Sequence, residues 1–400
     1  MKIIVQKFGG TSVATQQRRD MVVNKVINAI ENGYKPVVVV SAIGRKGDAY
    51  ATDTLLSLIN SKDAKINRRE IDLLMCCGEI ISAVVMSETF AVRGYKTKVF
   101  TGGNAGILTD NNFGNANIIR VDPKTILETL EENIIPIVTG FQGMTEEGDF
   151  TTLGRGGSDV TGAVLGEALK AECIEIYTDV DGIMTADPRI VPEARVINKI
   201  SYNEVFQLAD QGAKVIHPRA VEYAMKGNVP LIIKNTMSDA PGTIIASSKE
   251  SKNNIITGIT HMSDRTQITV EFNNEEVNRL NNDNNDLFEL LAINNISIDL
   301  INVFPDKKVF TVDGKDEIKV IDILKEQGLQ YKIISNCSKI AVIGNGMRGI
   351  PGVMAKILKA LGQNNISVLQ TADSHTTIWC LVKEEDTVKA INALHNAFCL

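Results

Sequence analysis

The sequence predicts an α/β protein with a mainly parallel central sheet, covered by helices on both faces and followed by two smaller βαββαβ units. Three observations predict it. Up to about residue 245, short continuous apolar runs alternate with amphipathic helical patterns, as strands buried on both faces require. Residues 246–254 then read Ala-Ser-Ser-Lys-Glu-Ser-Lys-Asn-Asn, a polar stretch without a large apolar residue. Beyond it, short strands bracket helices in an order that occurs twice.

The elements follow in order. Residues 3–7 are apolar and β-branched and make the first strand. Met21, Val22, Val26, Ile27 and Ile30 form one helical face, which Gly33 ends, and residues 36–41 are a buried strand. The same rhythm predicts strands at 98–101, 134–139, 174–178 and 230–234, and helices at 123–132, 159–169, 202–208 and 220–225. After the polar stretch, the first small unit has strand 266–272, helix 286–294, strands 296–303 and 308–312, helix 316–327 and strand 331–335. The second has strand 339–343, helix 353–361, strands 366–371 and 376–382, and helix 386–398, but no last strand. The apolar run 255–262 is left over. An open sheet edge is a liability, so this run either completes the second unit or caps the large sheet. The first option is preferred here. It gives a domain at 1–245, a linker at 246–254, an inserted unit at 266–335, and a second unit made of 255–262 plus 336–400.

Composition narrows the function classes. The 400 residues carry 42 Lys+Arg and 48 Asp+Glu, a net charge of −6, with 44% hydrophobic and 22% charged residues. This argues against long disorder. No block of Lys or Arg suggests a nucleic-acid partner. The apolar run Val37 to Val40 is too short to span a bilayer, and the N-terminus reads as a strand rather than a signal peptide. Six cysteines show no CxxC pair or zinc spacing and read as reduced thiols. Four histidines, with no GxSxG elbow, leave little support for a His-based metal site or triad.

Several motifs carry chemistry. Lys7-Phe8-Gly9-Gly10-Thr11-Ser12 follows the first strand. Glycines there let backbone N–H groups approach a phosphate, and Lys7 can reach a transferring phosphoryl group. An ordinary tight turn is the plainer reading, and no Walker A pattern exists. Thr151-Thr152-Leu153-Gly154-Arg155-Gly156-Gly157-Ser158-Asp159 pairs a Gly-rich loop with an Arg suited to a carboxylate and an Asp that is a helix cap, a functional group, or both. Asp179 and Asp181, in Thr178-Asp179-Val180-Asp181-Gly182, are either Mg²⁺ ligands or turn residues. Arg189, in Asp187-Pro188-Arg189, is a possible phosphate contact, and Lys214 a lone cation. Glu79 lies in an otherwise apolar helix with Leu73, Leu74, Ile80 and Ile81, on a solvated face or in a site. Gly344-Asn345-Gly346-Met347-Arg348-Gly349 matches the dinucleotide fingerprint, but too little chain follows it for a dinucleotide-binding domain.

These motifs, with Thr52, occur together and in order ahead of the two βαββαβ units. In this the chain resembles aspartokinases of the amino acid kinase superfamily over essentially its whole length. Acetylglutamate, UMP and glutamate 5-kinases differ in the segment Lys7 to Ser12 and generally lack the tandem units. The resemblance implies an amino acid kinase-like α/β/α sandwich followed by two ferredoxin-like ACT domains. The implied reaction is phosphorylation of the β-carboxylate of L-aspartate by ATP with Mg²⁺, the first step toward lysine, threonine, methionine and diaminopimelate. Lys7 and Asp159 match the catalytic pair, with no resident metal. Lys7, Phe8, Gly9, Gly10, Ser41, Thr178, Asp179, Met184, Arg189 and Lys214 match the ATP site, Met184 standing where Tyr is common. Thr52, Glu79, Arg155, Gly156, Gly157 and Ser158 match the aspartate site, with Glu79 on the ammonium and Arg155 on the α-carboxylate. Arg348, Gly349, Ile350, Pro351, Gly352, Val353, Asn365, Ile366 and Ser367 match an effector site for lysine, threonine or diaminopimelate. The first ACT unit lacks the usual Asp-x-Pro-Gly loop. The resemblance also implies a homodimer through the ACT domains, or a tetramer, in the cytoplasm, with no nucleic-acid or membrane partner. The competing readings are a kinase for another small carboxylate, a non-catalytic amino-acid sensor, and an NAD enzyme resting on the fingerprint alone.

Overall fold

A computed structural model describes residues 1–59, 66–213, 215–247, 255–272, 287–347 and 349–400. The chain forms two compact units. One comprises Met1–Ile183, Val196–Asp210 and Lys214–Lys249; the other comprises Met184–Arg195, Gln211–Ala213 and Glu250–Leu400. Two short stretches from before residue 245 therefore group with the second unit.

In the first unit the elements are β1 (Ile3–Phe8), α1 (Gln16–Glu31), β2 (Lys35–Val40), α2 (Thr52–Leu56), α3 (Arg68–Val92), β3 (Thr97–Phe100), β4 (Ile107–Thr109) and β5 (Ile118–Val121). They continue with α4 (Lys124–Glu131), β6 (Ile135–Thr139), β7 (Gln142–Met144), β8 (Phe150–Thr152), α5 (Gly157–Ala168), β9 (Cys173–Thr178) and β10 (Lys199–Ser201). The last are α6 (Tyr202–Asp210), α7 (Pro218–Gly227), β11 (Leu231–Asn235) and β12 (Thr243–Ala246). Eight strands form the main sheet in the order β10-β12-β11-β9-β1-β2-β6-β3. Its pairings are parallel except β11 with β12.

Every residue of β1 is buried, which explains its unbroken apolar character apart from Gln6 and Lys7. Phe8, Val26, Val38, Val40, Phe90 and Ile137 belong to the core on one face. The chain leaves β1 toward β2 on one side and later returns to β9 on the other. Such a switch point leaves a crevice beyond the carboxyl ends of the strands. The motifs at Lys7, Ser41 and Thr178 all fall there, because β1, β2 and β9 end at Phe8, Val40 and Thr178.

A second sheet, β5-β4-β7-β8, was not expected from the sequence. Its strands have three or four residues, too few for alternation to register. Helix α3 has 25 residues and is long and apolar enough to cross a membrane by length and composition alone. Half of its apolar window is buried in the fold, and it carries buried Asp72 and Glu79.

In the second unit the elements are β13 (Gly258–Glu271), α8 (Leu287–Ile293), β14 (Ile298–Val303), β15 (Lys307–Asp313) and α9 (Glu317–Glu326). Then come β16 (Gln330–Ile343), α10 (Val353–Gln363), β17 (Gln370–Asp373), β18 (Thr377–Lys383) and α11 (Thr387–Phe398). One antiparallel sheet runs β14-β15-β13-β16-β18-β17. Residues expected as two strands at 331–335 and 339–343 form the single strand β16, and 258–271 is likewise continuous. Irregular register between Met262 and Gln267, with Asp264 at φ 56° and Asn336 at φ 53°, bends these strands without ending them. Gly258 to Met262 pairs with Ile343 to Lys339, and Gln267 to Glu271 with Ile334 to Gln330. Two apolar clusters result. One holds Ile268, Phe310 and Leu324; the other holds Ile259, Ile357 and Leu394, with Ala186 and Val191 from 184–195. The strand expected at 366–371 begins only at Gln370, since Asn365 has φ 54° and Ile366 turns into the core.

Candidate active site

The site grows from the end of β1. Lys7 stands opposite Val39 of β2 and Ile176 of β9. Its Nζ lies 2.6 Å from Asp159 Oδ1, and both side chains are largely buried, at 11% and 15% exposed. Asp159 is in the first turn of α5, where the helix dipole favours a carboxylate. Asp159 is thus a first-turn residue and a partner of Lys7, and the N-cap position falls to Gly156.

The loop after β1 is laced to the loop after β2. Gly44 N–H donates to Gly10 O at 3.0 Å, and Ser41 N–H to Phe8 O at 3.1 Å. A Cβ on Gly10 would lie 2.5 Å from Ala42 O and 2.6 Å from Gly44 O. Both neighbours are backbone, so Gly10→Ala is expected to cost about 1–3 kcal/mol by overpacking. A thermal melt checks this: an unchanged Tm would mean that the loop yields freely.

Glu79 comes from α3 and is 2% exposed. Its Oε1 accepts the Ala42 N–H at 3.1 Å, while Oε2 is buried with no hydrogen-bond partner among the described residues. Burial pushes its carboxyl up to about 8, against the smaller lowering effect of the Ala42 hydrogen bond. The solvated-face alternative fails, because Glu79 lies on the buried side of the helix with Met75, Cys76 and Ala83. Asp72, seven residues earlier on the same helix, is 1% exposed. It accepts the N–H groups of Gly114 and Thr152 at 2.9 and 2.7 Å and the Thr152 hydroxyl at 3.0 Å. That ties α3 to the end of β8 and so to the loop that carries Arg155. From α7, Arg219 donates to Leu153 O at 2.8 Å and holds the same loop from another side. Sequence reasoning missed Asp72 and Arg219 as positioning residues. Two acids on one face of an apolar helix were the available signal for Asp72.

Two cavities open at the crevice, both within the first unit. One, about 310 Å³, is lined by Lys7, Gly10, Ser41, Thr52, Glu79, Arg155, Gly156, Gly157, Ser158 and Asp159, among others. The other, about 290 Å³, is lined by Thr178 and Asp179, and also by Thr11, Arg18, Thr236 and Met237, which the motifs did not reveal. Among the described residues only Gly44 and Arg45 line both. Arg45 forms an ion pair with Asp179.

Other expected site residues lie elsewhere. The Phe8 side chain is fully buried and stacks on Tyr177 with centroids 4.7 Å apart, so only its backbone is available to a ligand. Gly9 lines neither cavity and donates its N–H to Tyr177 O at 3.2 Å. Met184 and Arg189 belong to the second unit and line neither cavity; Arg189 instead forks onto Asp187, at 3.0 and 2.6 Å. Lys214 lies outside the described residues, as does Arg348. Gly349, Ile350, Pro351 and Gly352 form an exposed loop, and Asn365 and Ser367 are exposed, but Val353 and Ile366 are buried in the core. The side chains of those two are committed to packing rather than to a ligand. Gly344 of the apparent dinucleotide fingerprint is needed for close packing, since a Cβ there would lie 2.2 Å from Ile255 O.

The arrangement offers a buried acid with one oxygen unpartnered, an Arg, and a Lys–Asp pair around one cavity. These groups suit a small zwitterion next to a transferring phosphoryl group. Residues 2–235 match the amino acid kinase family, and residues 332–396 match an ACT domain. The chain is 46% identical to aspartokinase 1 of Bacillus subtilis, over 100% of this chain and 99% of that one. Escherichia coli aspartokinase III in complex with aspartate and ADP superposes with a TM-score of 0.79 at 25% identity, covering 100% of both chains. The same enzyme with lysine and aspartate gives 0.77 at 26% identity, again over 100% of both. With full-length relatives of this kind and the family match over more than half its residues, the chain belongs to the amino acid kinase family, among the aspartokinases.

Proposed function

We propose that this protein transfers the γ-phosphoryl group of ATP to the β-carboxylate of L-aspartate, yielding 4-phospho-L-aspartate and ADP. The observation that carries the reading is the partnerless Oε2 of Glu79 in a cavity that also holds Arg155 and the Lys7–Asp159 pair. Glu79 receives the substrate ammonium, and Arg155 its α-carboxylate, with Thr52 and Ser158 beside them. The β-carboxylate is ionised at neutral pH, so the reaction needs no general base. The task is to hold two anions in line and neutralise their repulsion. Lys7 stabilises the phosphoryl group in transfer, and Asp159 fixes the Lys7 ammonium. Thr178 and Asp179 hold the nucleoside in the second cavity, and the backbone of Gly10 and Ser41, in the first, cradles the phosphate.

Asp159 and Asp179 are already paired with Lys7 and Arg45, and the described residues hold no cluster of three or more His, Cys, Asp or Glu for a metal. Mg²⁺ arrives with the nucleotide substrate in this reading, on its phosphates, where it adds charge neutralisation.

The second unit is read as the regulatory part, with domain limits at 255–262 plus 336–400 and an inserted unit at 266–335. An amino acid, lysine, threonine or diaminopimelate, is the proposed effector, in a cytoplasmic homodimer joined through these units. Regulation requires two global states with different affinity for that effector.

A hydroxylamine-trapping assay tests the reading. ATP-dependent hydroxamate is expected with aspartate and not with glutamate or acetylglutamate, and one of the three amino acids should alter the rate. Turnover of glutamate or acetylglutamate would favour a different carboxylate kinase. Effector binding by calorimetry with no turnover would point to a sensor without catalysis.

A further inference from the structure

We infer that Arg45 is a further catalytic residue, a guanidinium held on Asp179 in the free enzyme and transferred to the nucleotide phosphates when ATP binds. The inference rests on the aspartate-kinase reading. Three observations support it. Among the described residues, Arg45 and Gly44 alone line both cavities, so a phosphoryl group moving from the nucleotide side to the aspartate side passes Arg45. The loop backbone is fixed: Gly44 N–H donates to Gly10 O at 3.0 Å, Arg45 N–H to Asp48 Oδ2 at 2.7 Å, and Ala51 N–H to Asp48 O at 3.2 Å. The side chain is not packed, at 67% exposed, and its acid partner, Asp179, is 53% exposed. An exposed ion pair of this kind is weakly held. A polyphosphate offers the same guanidinium a denser negative charge and a bidentate geometry.

The pair therefore has two uses. Before binding, Asp179 keeps Arg45 at the border of the cavities. After binding, Asp179 is released to the nucleoside and Arg45 to the phosphates. In the transfer, an oxygen of the aspartate β-carboxylate forms a bond to the γ-phosphorus. The bond from that phosphorus to the β,γ-bridging oxygen breaks, and its electron pair leaves with ADP. No proton needs to move. Charge accumulates on the equatorial oxygens and on the bridging oxygen, and an arginine at the border of the two cavities is placed to offset it.

The test compares wild type, Arg45→Ala and Arg45→Lys in the aspartate-dependent assay, with and without added guanidinium ion. For Arg45→Ala, kcat is expected to fall about 100-fold or more, as for loss of a single transition-state donor. The KM for aspartate should stay within about threefold, and guanidinium should restore about tenfold of the lost kcat. Arg45→Lys should recover only part of the rate, because an ammonium lacks the fork. A kcat for Arg45→Ala within about threefold of wild type overturns the inference, and so does a loss that guanidinium leaves untouched, which would mark a merely structural loop residue. If wild type makes no acyl phosphate from aspartate, the functional reading and this inference fall together. Wild-type turnover with an unimpaired Arg45→Ala overturns the inference alone.

Discussion

Replacing Lys7 with alanine is expected to lower kcat about 1,000-fold or more, equivalent to about 4 kcal/mol of transition-state stabilisation. The Lys7 side chain is 11% exposed, so little water screens its charge from a phosphoryl group in the cavity. The reaction needs no base, so charge stabilisation and alignment are the main contributions the protein can make. The substitution also strands Asp159, which is 15% exposed and 2.6 Å from Lys7 Nζ. Breaking a buried pair in this way costs about 3–5 kcal/mol at the upper end. Lys7→Met strands Asp159 equally but keeps the apolar stem in β1, so as the second variant it separates loss of the charge from loss of packing. Both variants should lose turnover and give folded melts. Near-normal kcat in Lys7→Met would place Lys7 outside the chemistry.

Much of the main sheet was legible because its strands are buried on both faces. Val37 to Val40 cannot be anything but interior, and Ile174 to Tyr177 follows the same logic. The helix after the first strand carries its stop, Gly33, in the sequence, and the structure adds its cap, Thr15, whose side chain accepts the Arg18 N–H at 3.3 Å. The second sheet was not legible. A strand such as Thr152's, three residues long and rich in Thr, is defined by its partners across the sheet rather than by its own pattern.

The site divides in the same way. Lys7, Arg155 and Asp159 sit next to glycines at element ends, where sequence spacing alone sets their neighbourhood. Glu79 was ambiguous, because nothing in one helix reveals whether an inward carboxylate meets solvent or a cavity. Asp72 and Arg219 act through backbone groups of Thr152 and Leu153 far away in sequence, and no local pattern encodes that. Arg189 reads from the sequence as a phosphate contact, but Asp187 two residues earlier takes its guanidinium. Val353 and Ile366 sit within motifs that read as a binding loop, yet both side chains fill the core beneath it.

Glu79→Gln is expected to raise the KM for aspartate about 100-fold while making the free enzyme more stable above pH 8. Both effects come from one group. In the fold, burial holds the Glu79 carboxyl at about 8, against 4.5 in the unfolded chain. Between those values the folded state keeps a proton that the unfolded state has lost. Stability contributed by Glu79 therefore falls as pH rises from 4.5, and it is fully lost above about 8. Glutamine has no proton to lose, so its melt should not share that decline. Aspartate reverses the balance, because its ammonium can stabilise the ionised carboxylate next to the partnerless Oε2. Wild-type KM should then fall about tenfold per unit as pH rises from 6.5 to 7.5, since ionised Glu79 becomes more populated. The glutamine variant should show a high KM without that slope, and kcat should change little, because Glu79 binds the substrate without meeting the transferring group. A flat wild-type KM over this range, or a glutamine variant with unchanged KM, would remove Glu79 from the ammonium site. The buried Oε2 without a partner is what costs wild type stability as pH rises, and that same vacancy is what the substrate's ammonium is positioned to fill.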